Sequence, residues 1–201
     1  MQLRCAVGAG LAVIAGVAML GVVGGCQTTC KSCGDGTKMG SARVAGSASP
    51  KTIAMMDKIK TLAGEWEMEN PEKPGGWNVA AVFAVSSGGN VVREIMFPGA
   101  PHEMTNTYHL DGDSIVVTHY CAIGNQPRMR AVANDGHAHA SNEIHFQFDS
   151  LTNFAGGDQT YMGDLLLVMD GPDKMNQVWH HYQHGKMQDN THANFSLRRR
   201  K

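Results

Sequence analysis

From Gly64 to Leu197 the chain is a succession of short segments in which apolar and polar residues alternate. Most are separated by turn formers: Ser87-Gly88-Gly89-Asn90, Asp111-Gly112, Asn134-Asp135-Gly136, Gly156-Gly157, Asp170-Gly171-Pro172-Asp173 and His184-Gly185-Lys186. Period-two alternation marks strands with one face in a core and the other in water. It predicts strands over about 64–69, 77–86, 91–98, 102–110, 113–121, 127–134, 142–149, 161–169, 175–183 and 188–197. Ten strands joined mostly by hairpins form a meander, which leaves two exposed edges unless it curls up and closes. The expected fold is therefore all-β, a closed antiparallel up-and-down barrel of about ten strands enclosing a cavity as well as a core. A β-sandwich is the alternative. One short helix precedes the strands: Lys51–Leu62 places Ile53, Met56, Ile59 and Lys60 or Leu62 near helical spacing, after the start signal Ser49-Pro50.

The N-terminus is a different material. Arg4 is its one cation, and an apolar run without a single acid extends from Cys5 to Val23, as in an export signal. The run ends Val23-Gly24-Gly25-Cys26, which resembles the lipobox of bacterial lipoproteins; that resemblance makes Cys26 the lipidation site and the new first residue. An uncleaved membrane anchor is the other reading of the same run. Residues 26–49 are small and polar and cannot bury enough apolar surface to fold, so a flexible tether is expected. Cys30 and Cys33 within it lack the helix start of a redox pair and the second pair of a zinc site, which leaves a local disulfide or a passive pair. The organisation expected is a signal peptide over 1–25, a tether over 26–49 and a barrel domain over 50–201. The protein is then exported and anchored to the bacterial cell envelope, with the membrane as a partner through a lipid.

A formal net charge of −1 gives no electrostatic footprint for nucleic acid. The basic run Arg198-Arg199-Arg200-Lys201 reads as a solvated tail. Motifs for hydrolase, nucleotide-binding, zinc-protease and dinucleotide chemistry are missing, so no enzyme is expected. Cys121 lies two residues from His119 on one strand in apolar company, which describes an inert thiol better than a nucleophile.

Alternation also assigns faces. Ile115, Val117, His119 and Cys121 share the more apolar side of their strand, and Met104, Asn106, Tyr108 and Leu110 share the inward side of the strand before it. Asn106, Tyr108 and His119 then enter an interior lined by Trp77, Val79, Phe83, Val85, Ile144, Phe146, Phe148, Leu165 and Leu167. Either Tyr108 and His119 satisfy each other or a trapped water, or they orient a ligand, as the few polar groups of an apolar pocket do. Trp179 and Arg128 complete the candidate ligand-binding set. Arg128 and Arg130 share a strand face and read either as outward and solvated or as an anion clamp. Ten histidines invite a metal, but His180, His181 and His184 do not converge on one strand face, and no metal site is expected.

A short helix running into Leu62-Ala63-Gly64-Glu65-Trp66, a G-x-W at the start of the first strand, and a long antiparallel meander resemble the calycin superfamily of lipocalins, fatty-acid-binding proteins and nitrobindins. The stretch from Pro101 through Tyr108 and His119 to Arg128 further resembles uncharacterised bacterial secreted proteins of lipocalin-like type. The resemblance covers about residues 50–198 and implies a barrel that binds a small apolar or amphipathic molecule. It raises heme as the runner-up cofactor, because His192-Ala193-Asn194-Phe195 resembles the proximal-ligand strand of nitrobindins. Against heme, Glu67-Met68-Glu69-Asn70-Pro71 stands where nitrobindins are glycine-rich, and His192 shares a polar face with Asn194 and Ser196. A structural envelope module with a filled barrel is the third reading.

Overall fold

Every strand pairs antiparallel with the next in sequence, and the first pairs with the last, so the sheet closes into a barrel. The structure, a computed structural model, describes residues 48–133, 136 and 140–201, with the backbone alone for 189–191. The expectations for the export segment, Cys26 and the Cys30/Cys33 pair lie outside the described residues. The elements are α1 (Pro50–Lys60), β1 (Gly64–Glu69), β2 (Trp77–Ser86), β3 (Val91–Met96), β4 (Met104–Leu110), β5 (Ser114–Tyr120), β6 (Gln126–Val132), β7 (Glu143–Thr152), β8 (Tyr161–Met169), β9 (Lys174–Gln183) and β10 (Lys186–Arg199). A single 3-10 turn, Ser87–Gly89, joins β2 to β3. The seam is formed by Trp66 opposite Arg199 and Glu67 opposite Arg198. Closure overturns the sandwich alternative.

The helix covers one end of the barrel. Ser49 caps it, accepting from the Thr52 N–H at 3.3 Å, and Pro50 occupies the first turn, where its missing donor costs nothing. Asp113, in the β4–β5 turn, accepts from the Ser49 N–H at 2.8 Å and the Thr52 hydroxyl at 2.6 Å, and these bonds hold its carboxyl below the usual range. Thr52, Met56 and Ile59 form the buried stripe, so Ile53, expected on it, turns to solvent.

The G-x-W has a physical role at this end. The Trp66 indole donates to the Leu62 carbonyl at 2.7 Å, and the Arg199 guanidinium lies 4.5 Å above the Trp66 ring. Arg199 also donates to the carbonyls of Thr61 and Ala63, each at 2.8 Å, and of Pro172 at 2.9 Å. Gly64 sits at φ 128°, and a Cβ there would stand 3.0 Å from the Arg199 guanidinium. The basic tail is thus partly a structural clasp rather than a free solvated end.

Inward positions follow the alternation through the middle of the barrel, where Trp66, Phe83, Val92, Ile115, Val117, Met129, Phe146, Leu165 and Trp179 are buried in one cluster. Alternation fails at the rims. Trp77, Val85 and Leu110 lie at or next to strand ends and are exposed; Trp77 instead stacks under the Arg198 guanidinium at 3.4 Å. Phe148 is exposed because β7 leaves β8 after Gln147 and its pairing with β6 shifts register between Arg128 and Met129.

Candidate functional site

The barrel interior carries a connected set of polar side chains that lies fully away from water. Glu94, on β3, takes an inward position between Val92 and Met96, and both its oxygens are engaged. Oε2 accepts from the Asn106 amide and the Tyr108 hydroxyl, each at 2.7 Å, and Oε1 accepts from the Gln177 amide at 2.6 Å. The Gln177 oxygen accepts from the Trp179 indole at 3.1 Å. Gln177 lies on β9, far from β3 around the wall, so this bond crosses the interior. Sheet register builds the rest, because Glu94 is opposite Asn106 and Asn106 is opposite His119. The His119 Nδ1 is 2.7 Å from the Asn106 Oδ1.

Proton positions follow from Glu94 outward. Glu94 accepts at both oxygens, so Asn106 turns its NH2 toward Glu94 and its oxygen toward His119. That oxygen requires Nδ1 of His119 to carry the ring proton, and Nε2 is left with a bare lone pair. Nε2 is buried and has no partner, although the His119 ring leans on Trp179 with centroids 5.0 Å apart. An acceptor in that condition costs about 1–3 kcal/mol. Glu94, Asn106, Tyr108 and Gln177 are 0% exposed, and His119 is 1% exposed.

Burial sets the ionisation of the group. Desolvation raises the Glu94 carboxyl, with the bonds from Gln177, Tyr108 and Asn106 pulling back. Desolvation and then the Glu94 charge push Tyr108 well up. Desolvation brings His119 down to about 4, so its imidazole is neutral at neutral pH.

Four of the five residues expected to line a ligand site, Asn106, Tyr108, His119 and Trp179, come together here. Of the two readings for Tyr108 and His119, the one in which they bond each other does not hold: Tyr108 goes to Glu94 and His119 to Asn106. Arg128 is elsewhere. It lies on the outer face with Arg130, where Arg128 is 3.1 Å from Asp111 and 3.2 Å from Asp149, and Arg130 2.8 and 3.2 Å from the same carboxylates. Both arginines thus face outward, partly exposed and paired with these carboxylates. Glu94 and Gln177 were missed. The signal for each was a polar residue on an otherwise apolar alternating face: Glu94 between Val92 and Met96, and Gln177 between Met175 and Trp179.

Where Gln177 meets Glu94 the barrel is filled. The crevice beside them, between Ala80, Ala81, Met96, Phe97, Phe195 and Leu197, leaves no room for a water molecule. His119 stands next to the last residue of β5, at the end away from α1, since β5 begins beside the helix. The following turn is held by Asn125, whose amide donates to the Thr160 carbonyl at 2.9 Å while its own oxygen is buried without a partner.

The histidines on the outer wall have structural partners. Asp164 accepts from His145 at 2.6 Å and His180 at 3.0 Å, and His184 pairs with Asp158 at 3.1 Å. Among the described residues no group of three or more His, Cys, Asp or Glu is placed to hold a metal. His192 is exposed, opposite His180 on the outer face, so the residue that suggested a heme ligand points away from the interior. Cys121 is a free, half-buried thiol.

A closed antiparallel barrel of ten strands with one short helix is consistent with a calycin-like fold. No protein-family model matches the chain, and no curated protein matches it.

Proposed function

We propose that this protein is a non-enzymatic binder of a small apolar or amphipathic molecule, exported and tethered to the bacterial envelope through a lipid on Cys26. The observation that carries the reading is the His119 Nε2, a buried acceptor left open at the end of a chain of otherwise satisfied hydrogen bonds. A ligand whose polar head reaches it completes the network and removes the cost of the orphan. Asn106 and Tyr108 act as positioning residues, spent on Glu94 and holding the imidazole in one tautomer. Trp179 supplies the apolar wall against that imidazole.

The filled level at Gln177 and Glu94 favours a second reading, a structural envelope module with no ligand. Native mass spectrometry of the gently purified protein, repeated on His119→Phe, separates the two. A bound small molecule present in the native protein and lost in a folded H119F supports the binder. No adduct in either, with H119F at least as stable as the native protein, supports the module. For the anchor, Cys26→Ser is expected to release the protein from membranes; retention of the variant with its N-terminal segment intact would make that segment an uncleaved anchor.

A further inference from the structure

We infer that the site at His119 selects a ligand whose head donates a hydrogen bond without carrying negative charge, a hydroxyl or an amine, and rejects carboxylates. The inference rests on the binder reading and assigns the chemical class of its ligand.

Three observations converge on it. Glu94 fixes the direction of every bond leading to His119, so what the network presents at its open end is a lone pair. A second buried acceptor without a partner, the Asn125 oxygen, belongs to the turn that follows β5, whereas the remaining unpartnered atom of this hairpin, the Arg128 Nε, is a donor on the outer face beside Asp149. No cation offsets an incoming anion: the bonds of Glu94, Asn106, Tyr108, His119 and Gln177 go to one another, to Trp179 and to the Met96 sulfur, with no lysine or arginine among the described partners. Arg93, next to Glu94 in the chain, is exposed on the outer face, and Arg128 and Arg130 pair with Asp111 and Asp149 outside the wall. An ionised fatty acid would bring a charge without a proton to a site that offers only lone pairs, beside the Glu94 carboxyl and in a low dielectric. An alcohol or amine of the same length brings the missing donor.

The test uses hexan-1-ol, hexylamine and hexanoate with the full chain at pH 7. Affinities are read by calorimetry, and the His119 ring nitrogens are followed by histidine-selective nitrogen NMR. The expected result is that alcohol and amine bind at least tenfold more tightly than hexanoate and shift Nε2 upfield from its bare-nitrogen position. His119→Gln should keep part of the preference and His119→Phe should erase it. Hexanoate binding as tightly as the alcohol, with H119F weakening both, would overturn the inference and leave the binder reading standing. Failure of all three to bind, with Nε2 unmoved, would remove the binder reading and the inference together. The NMR arm uses the native protein and holds even where H119F does not fold.

Discussion

Two of the carboxylate clusters on the barrel wall are solved in opposite ways. On the outer face Asp111 and Asp149 meet Arg128 and Arg130, two negative charges against two positive ones, with each carboxylate touching both guanidinium groups. On the inner face Glu94 meets three neutral donors and no cation, and the chain of bonds that leaves it ends on an open acceptor. In the outer cluster every charge meets its opposite, with the Arg128 Nε 3.2 Å from Asp149 in an ion pair that is not aligned as a hydrogen bond. The inner one has its geometry fixed and one acceptor unfilled, and the proposed recognition role rests on that difference.

The largest way to break this contrast is Glu94→Ala. It orphans three buried donors and should cost about 3–5 kcal/mol in a urea melt, since each orphan is worth about 1–3 kcal/mol. A loss near 1 kcal/mol would mean that the network relaxes around the gap.

Acid sharpens the contrast next. The folded-state imidazole of His119 titrates near 4 against 6.5 when unfolded. As pH falls below 6.5 the unfolded chain takes up a proton that the folded chain refuses. Stability is therefore lost between 6.5 and about 4, by about 3 kcal/mol from this group. Glu94 works the other way, because its raised carboxyl makes the folded state less stable as pH rises past 4.5. Melts across pH 4 to 8 should show H119F losing the acid-side penalty and Glu94→Gln losing the opposing one; parallel profiles for both variants and the native protein would contradict the assignment.

Arg130→Met on the outer face should cost only about 1 kcal/mol or less, and 1 M salt should erase most of that while leaving the E94A effect in place. The smallest effect expected is that of H119F on stability at pH 7, within about 1 kcal/mol. The substitution exchanges one orphaned acceptor, Nε2, for another, the Asn106 oxygen.

Much of the fold was legible in the sequence, because alternation and turn residues are local signals. The predicted spans of β1, β2 and β8 coincide with those observed, and the need to remove edges anticipated closure. Partners were less legible than faces. Asn106, Tyr108 and His119 were assigned inward by counting, but register decides who meets whom: it sets Tyr108 opposite Val117 and Asn106 opposite His119. Glu94 and Gln177 are 83 residues apart, and only the closed barrel brings them to one point. Trp77 and Phe148 escaped for a related reason, since a period-two count does not know where a strand frays from its neighbour or slips past it.

The clasp at Arg199 has a consequence for the order of events in making the molecule. β1 has one partner in β2 and finds its other only in β10, and the two guanidinium bonds that lock the helix exit span 136 and 138 residues. Until the last turn of chain has emerged, β1 keeps a naked edge and Trp66 has no lid. The seam is thus a late, long-range closure, the kind that slows folding because its loop entropy is lost before its contacts form. A chain cut even a few residues short, ending before Leu197, should accumulate as open sheets that pair with one another instead of with themselves.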